Sequence, residues 1–362
     1  MEHVIVYRQP GRFAGWPANY GIWSWGHEIV LGFTLGYIDV AGGFHARDKT
    51  KPFANMQARS VDGGQTWDVV PMPCKTPGNR GLSADEHMNE GLWVGEVLNG
   101  ENGPVACSGG VDFLHPDFAL MCAKTGLRRG VRSFWYYSTD RCQSWMGPFW
   151  LPMWGQTGIA ARTDYLIDGP KQCTLFLTAN KHNGHEGRVF CARSVDGGKA
   201  FGFLSWVSAE PEGFQIMPAS LRLDEQRLLV AVRCSGRGEF TETKHWIDAY
   251  LSNDDGLTWA HVGQPVPASG MGGNPPTLTQ LPDGRIVLTY GYRAAPFGIR
   301  AKVSADGGIT WGEDIVLRSD GGNPDIGYPR TILRPDGFLV TAYYYNDSAE
   351  GERYIGATIW RP

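Results

Sequence analysis

An eight-residue pattern, S-x-D-x-G-x-T-W, recurs five times in this chain and constrains its fold more than any other feature. The copies are Ser60–Trp67, Ser138–Trp145, Ser194–Phe201, Ser252–Trp259 and Ser304–Trp311. The first, fourth and fifth match at every fixed position; the second lacks its Gly, and the third closes on Ala200 and Phe201. The Asp side chain accepts hydrogen bonds from turn N–H groups, the Gly permits positive φ, and the closing aromatic packs beneath the turn. Each copy therefore reads as a reinforced hairpin tip. Aspartates consumed by their own turns are fold staples, not catalytic acids.

The repeats start 78, 56, 58 and 52 residues apart, a period that suits a four-stranded propeller blade and not a helical solenoid unit. After Trp259 the chain predicts strands at Pro276–Gln280, Arg285–Tyr290 and Ile299–Ser304, with a turn at Asp283-Gly284. Three strands precede each repeat and one follows it, so blades end near residues 72, 150, 208, 265 and 317. A sixth unit holds Tyr328–Leu333, Phe338–Tyr345 and Tyr354–Arg361 but no fourth strand. The apolar N-terminal stretch His3–Tyr7 supplies it, covering an open edge and closing the ring. The expected fold is all-β: one domain over residues 1–362, a six-bladed β-propeller of four-stranded antiparallel blades.

Composition narrows the partners. Aromatic residues at 12% and 49 glycines suit many short strands and turns. A net charge of −4 with no Lys/Arg run gives no expectation of nucleic acid or membrane as partner. Seven cysteines without C-x-x-C spacing read as reduced buried thiols, and neither a metal nor a cofactor is expected. No leader precedes the closing strand, which places the chain in the cytoplasm by expectation, or outside it if a leader has been removed.

In a propeller, chemistry sits on the face opposite the repeats, where loops between blades and loops joining second to third strands converge on the channel. The first group spans Arg8–Tyr20, Pro71–Gly91, Phe149–Thr163, Glu210–Met217, Pro265–Thr277 and Ser319–Tyr328. The second spans Tyr37–Met56, Val111–Arg132, Asn180–Gly187, Arg233–Trp246, Tyr292–Arg300 and Tyr345–Arg353. The two longest, Tyr37–Met56 and Val111–Arg132, are expected to wall the pocket. The run His182-Asn-Gly-His185-Glu186 lacks the helical H-E-x-x-H context of a zinc site and reads as a polar hairpin. Trp16, Tyr20, Trp23, Trp93 and Trp246 lie where sugar faces stack or where blades pack.

These features resemble the sialidase superfamily: Tyr7-Arg8-Gln9-Pro10 is similar to its [FY]-R-I-P segment, the repeats to its Asp boxes, and the blade count to its propeller. The resemblance spans essentially the whole chain. It implies an exo-acting glycosidase that removes a terminal anionic sugar, a nonulosonic or uronic acid. Sialidases hold the substrate carboxylate with three arginines, whose planar forks bind it bidentately. The resemblance maps these onto Arg8, Arg233 and Arg300, with Arg293 as rival for the third. It maps the tyrosine nucleophile onto Tyr328, and the acid/base onto Asp48, with Asp39 in the same loop. His45, Asp39, Tyr20, Gln215, Arg237, Trp246 and Arg293 are the expected substrate contacts.

The sequence departs from that pattern where the family glutamate belongs. Phe214-Gln-Ile-Met-Pro218 puts Gln215 or Met217 there, and neither acts as a base. His or Asp side chains from other loops remain to activate the tyrosine. Two further readings stay open: a uronate lyase in which Arg neutralises the carboxylate while His or Tyr moves protons, and a carbohydrate-binding propeller without catalysis.

Overall fold

Alternating apolar runs separated by turns every several residues build short strands, and a computed structural model describes all residues except 76–86, 90–102, 128 and 238–241. The first blade contains β1 only as a neighbour: β1 (Glu2–Tyr7) belongs to the last blade, and β2 (Arg12–Gly15), β3 (Gly21–Trp25), β4 (Glu28–Tyr37), β5 (Ala54–Ser60) and β6 (Asp68–Pro71) form the first. Its inner strand is split, because β2 and β3 both pair with β4 on either side of a single turn at Pro17–Asn19. The second blade is described as β7 (Ala119–Lys124), β8 (Ser133–Ser138) and β9 (Met146–Trp150); Trp93 lies outside the described residues. In the third, β10 (Ile159–Ala160) and β11 (Tyr165–Gly169) share β12 (Gln172–Asn180), followed by β13 (Glu186–Ser194) and β14 (Gly202–Trp206).

The fourth and fifth blades are regular. They run β15 (Phe214–Arg222), β16 (Leu228–Arg237), β17 (Thr243–Ser252), β18 (Ala260–Val266), then β19 (Thr277–Gln280), β20 (Ile286–Tyr292), β21 (Gly298–Ser304), β22 (Ile315–Arg318). The sixth is β23 (Gly327–Leu333), β24 (Leu339–Tyr345) and β25 (Tyr354–Trp360), completed by β1 in antiparallel register from Glu2↔Ile359 to Tyr7↔Ile355. The six-bladed ring closes as the sequence predicts. Val, Leu, Ile and aromatic side chains fill the spaces between blades, with Leu31, Leu120, Leu175, Val230, Leu288 and Val340 fully buried on second strands.

One loop differs from expectation. Val111–Arg132 is not a single pocket wall, because it contains β7. Its first part runs along the repeat-bearing face, where Val111 N donates to Gly197 O (3.0 Å) and Phe113 N to Pro170 O (2.8 Å).

The repeats do the work assigned to them. In the fifth, Asp306 Oδ1 accepts from Ser304 Oγ (2.8 Å) and the Ile309 and Thr310 amides, while Oδ2 accepts from Thr310 Oγ1. The second copy makes the same turn without Gly by holding Arg141 and Cys142 at φ 57° and 63°, and Asp140 still receives Ser138, Gln143 and Ser144. The seven cysteines are free thiols, six of them buried, and burial pushes Cys74 up to about 12. Among the described residues no helix is long and apolar enough to cross a membrane.

The Thr310 hydroxyl and amide hold the Asp306 carboxyl down at about 2, below its ordinary 3.8. A depressed folded-state value stabilises fully above the unfolded value and less as pH falls through the folded one. Asp306→Ala should therefore cost about 1 kcal/mol near neutral pH, and the gap to wild type should close as pH falls from about 4 to 2. Urea unfolding across that range checks it; a gap independent of pH contradicts the assignment.

Candidate active site

Inner-strand starts carry an unusual backbone. Trp16, Met217 and Tyr328 have φ of 56°, 53° and 51°, and each precedes a proline, at 17, 218 and 329. Positive φ on a bulky residue costs about 1–3 kcal/mol and persists only where surroundings enforce it. For Tyr328 the enforcement comes from the fifth blade. The fully buried Asn274 accepts from Tyr328 N (2.7 Å) and donates to Ile326 O (3.0 Å). Gly327, at φ 107°, must be glycine, because a Cβ would lie 2.3 Å from Asn274 Nδ2.

Held in this way, Tyr328 is 8% exposed. Arg233, near the end of β16, donates Nη1 to the Tyr328 hydroxyl (3.0 Å) and Nη2 to Gly272 O. Its buried Nε–H meets no acceptor among the described residues. Arg293, which follows β20, has its guanidinium carbon 5.6 Å from the Tyr328 ring centre. It donates to Ile326 O (2.9 Å), Gly273 O (2.8 Å) and the Tyr344 hydroxyl (2.6 Å). Met217, one of the two residues expected in place of the family glutamate, accepts from Arg233 through Sδ at 3.5 Å.

Beside this pair lies a buried carboxylate network. Asp325, 1% exposed, accepts from His45 Nδ1 (2.7 Å), Tyr344 Oη (2.8 Å), Arg353 Nε (2.9 Å) and Ala46 N (3.3 Å). Burial alone would raise this carboxyl, but His45, Arg353 and Arg293 hold it far below the usual range. Burial, with Arg293 and Arg47 nearby, keeps the His45 imidazole below 6.5 although Asp325 pulls upward. Trp16 stacks on His87 at 3.5 Å and 4° and meets His45 edge-on at 5.3 Å. Arg162 grips Glu186 bidentately (2.8 and 3.1 Å) and donates to Asn19 (3.1 Å); burial raises the Glu186 carboxyl, and Arg162 more than offsets that.

Of the candidates taken from sequence, the structure therefore brings together Tyr328, Arg233, Arg293 and His45. The others lie elsewhere for identifiable reasons. Arg8 extends from the outermost strand of the last blade to Asp347 (2.5 Å) and Glu352 (3.2 Å), so Trp16 takes the inner-strand place in the first blade. Arg300 pairs with Asp314 (2.8 Å) and covers the Tyr292 ring at 3.4 Å, between the third and fourth strands of its blade. Asp48 closes a turn on Thr50 N (3.0 Å) and Lys51 (3.1 Å), and Asp39 one on Ala41 N (3.0 Å). Tyr20 is buried against Asn55 (2.7 Å), and Gln215 is held by Tyr250 (2.7 Å) and Ser208. Arg237 is 80% exposed, and Trp246 packs between blades.

Asp325, Arg353, Tyr344 and Asn274 were not anticipated; only the placement of Asp325 in the loop before Tyr328 hinted at any of them. Among the described residues no three His, Cys, Asp or Glu side chains are grouped to hold a metal: His182 pairs with Glu210, and Glu186 with Arg162. A cavity of about 580 Å³, lined by Lys244, His245, Met271 and Gly272, opens beside Arg233. A second, of about 340 Å³, occupies the channel around Arg330 and Asp164, whose carboxyl burial raises to about 7.

The family model for the BNR repeat-like domain matches residues 118–341, more than half of the chain. The chain belongs to that family. No curated protein matches it. A protein of unknown function from Dyadobacter fermentans superposes with a TM-score of 0.73 at 20% identity, covering 99% of this chain and 97% of that one. The NanB sialidase of Streptococcus pneumoniae gives 0.63 at 12%, covering 99% and 70%. An α-L-arabinofuranosidase of Fusarium graminearum gives 0.58 at 12%, covering 97% of each. At these identities the solved structures speak to the fold of this BNR-repeat propeller.

Arginine placement is directly testable. Arg293→Met removes three buried charge-assisted hydrogen bonds and should cost about 3 kcal/mol, whereas Arg8→Ala removes surface ion pairs and should cost no more than about 1 kcal/mol. Urea unfolding of both variants checks this, and equal losses contradict the placement.

Proposed function

We propose that this BNR-repeat protein is a sialidase-like glycoside hydrolase that removes a terminal acidic sugar, a nonulosonic or uronic acid, from a glycan. One observation carries the reading: a strained tyrosine, held where residues of three blades meet, whose phenolic oxygen accepts a hydrogen bond from Arg233. An N–H donated to that oxygen stabilises negative charge as it develops there. A neutral phenol also approaches an anionic sugar without the repulsion a carboxylate would meet.

The surrounding charge favours an anion. Arg233, with a buried Nε–H that meets no acceptor among the described residues, lies against the Tyr328 hydroxyl, and Arg293 flanks the same ring; a guanidinium presents the planar geometry that a carboxylate fits. The sialidases and the arabinofuranosidase among the structural neighbours support glycoside cleavage on such a scaffold. Tyr328 is then the nucleophile, its oxygen bonding to the anomeric carbon as the glycosidic oxygen departs.

Incubation with a panel of sialosides and uronides tests the reading, with reducing-sugar release and ultraviolet absorbance followed together. Release of a terminal acid is expected, and Tyr328→Phe should lose at least about 100-fold in kcat with KM little changed. A new ultraviolet absorbance would mean elimination instead, and binding without turnover would mean a carbohydrate-binding module.

A further inference from the structure

The site has a proposed nucleophile and an anion-binding arginine, and among the described residues no carboxylate is hydrogen-bonded to the Tyr328 hydroxyl. It does have an oriented imidazole. Asp325 is ionised and accepts only, so the proton shared at 2.7 Å sits on His45 Nδ1 and the Nε2 lone pair is free of it. Asp325 cannot turn away, because Arg353, Tyr344 and the Ala46 amide hold its two oxygens. The His45 side chain is 21% exposed, and among the described residues Nδ1 is its one hydrogen-bonded side-chain atom. Phe44 fixes the ring's other side at 4.8 Å and also packs 5.1 Å from the Arg293 guanidinium carbon, the same group that flanks Tyr328.

We infer that His45, oriented by Asp325, is the proton-transfer catalyst of this site, taking the place of both the glutamate and the aspartate of a sialidase. The inference rests on the reading of the site as a glycosidase. In the first step the Tyr328 oxygen bonds to the anomeric carbon as the bond to the glycosidic oxygen breaks. The phenolic proton passes to His45 Nε2 and from there to the departing oxygen. In the second step water attacks the same carbon, its proton passes to His45, and the released tyrosyl oxygen recovers a proton from it. The sum is hydrolysis, with His45 and Tyr328 restored.

A base that starts neutral is what this sequence of steps requires. The charged and titratable groups facing the ring are Asp325 from the loop before β23, Arg293 after β20, Arg47 on its own loop and His87, with Trp16 at its edge. Burial and the two arginines outweigh Asp325, leaving the imidazole unprotonated at neutral pH. Asp325 is a positioning residue: it sets the tautomer without touching substrate.

The test uses the full chain and the acidic glycoside that wild type turns over. His45→Ala should lose about 100-fold or more in kcat with KM within a few-fold, and added imidazole should restore part of it. Wild-type kcat/KM should fall as pH drops below 6.5, and this acid limb should vanish in His45→Ala. Asp325→Asn should lower kcat too; a melting curve shows whether it folds, and Tyr344→Phe, which removes one donor to Asp325, gives a milder loss if it does not. Full activity in His45→Ala overturns the dyad while the glycosidase reading stands. Loss of activity without imidazole rescue and with the acid limb retained overturns it as well. A wild type that cleaves no acidic glycoside overturns the glycosidase reading and the role of His45 with it.

Discussion

The pairing of the first strand with the last fixes everything else in this protein. Glu2–Tyr7 lies along Tyr354–Trp360, so the toroid is closed by residues from opposite ends of the chain, and no blade presents β25 as an open edge. Closure brings inner-strand starts from different blades to one mouth. Tyr328 in the sixth blade meets Arg233 in the fourth, 95 residues away, and is pinned by Asn274 from the fifth. None of these contacts is local. Each depends on blades holding their angular positions, which the repeat turns secure from the opposite face.

At the mouth, geometry and charge reinforce one another. Three inner strands carry a left-handed residue followed by proline, at Trp16, Met217 and Tyr328, at a cost that packing must offset. Arg293 and Arg353 gather with His45 around a single buried carboxylate, Asp325. Asp325 is shared between Arg353, His45 and Tyr344. Burying guanidinium groups is expensive unless each finds acceptors. Arg293 finds three, whereas Arg233 leaves Nε–H open.

How much of this was legible in the sequence follows from what is local. Repeat turns, strand order and the borrowed N-terminal strand were readable because hairpin chemistry and periodicity act over a few residues. Tyr328 and Arg293 were readable because they sit at or beside ends of recognisable strands, and Arg233 because it lies on one. Arg8 reads as the first arginine of the family segment, yet Tyr7-Arg8-Gln9-Pro10 leaves the outermost strand of the last blade, and five further residues pass before the inner strand's own kink at Trp16-Pro17. Arg300 is one residue pair across the ladder from Tyr290, where its side chain meets Asp314 instead of the channel. The His45–Asp325 contact joins residues 280 apart, and no spacing or motif in a single sequence announces such a pair.

The central claim is that Tyr328 and Arg233 form the binding centre for an acidic sugar. A crystal structure with an acidic monosaccharide bound tests it most directly. The account predicts the sugar carboxylate within hydrogen-bonding distance of the Arg233 guanidinium and the anomeric carbon facing the Tyr328 hydroxyl. A sugar seated only in the cavity beside Lys244 and His245, with Tyr328 and Arg233 still bonded to each other and untouched, would contradict it.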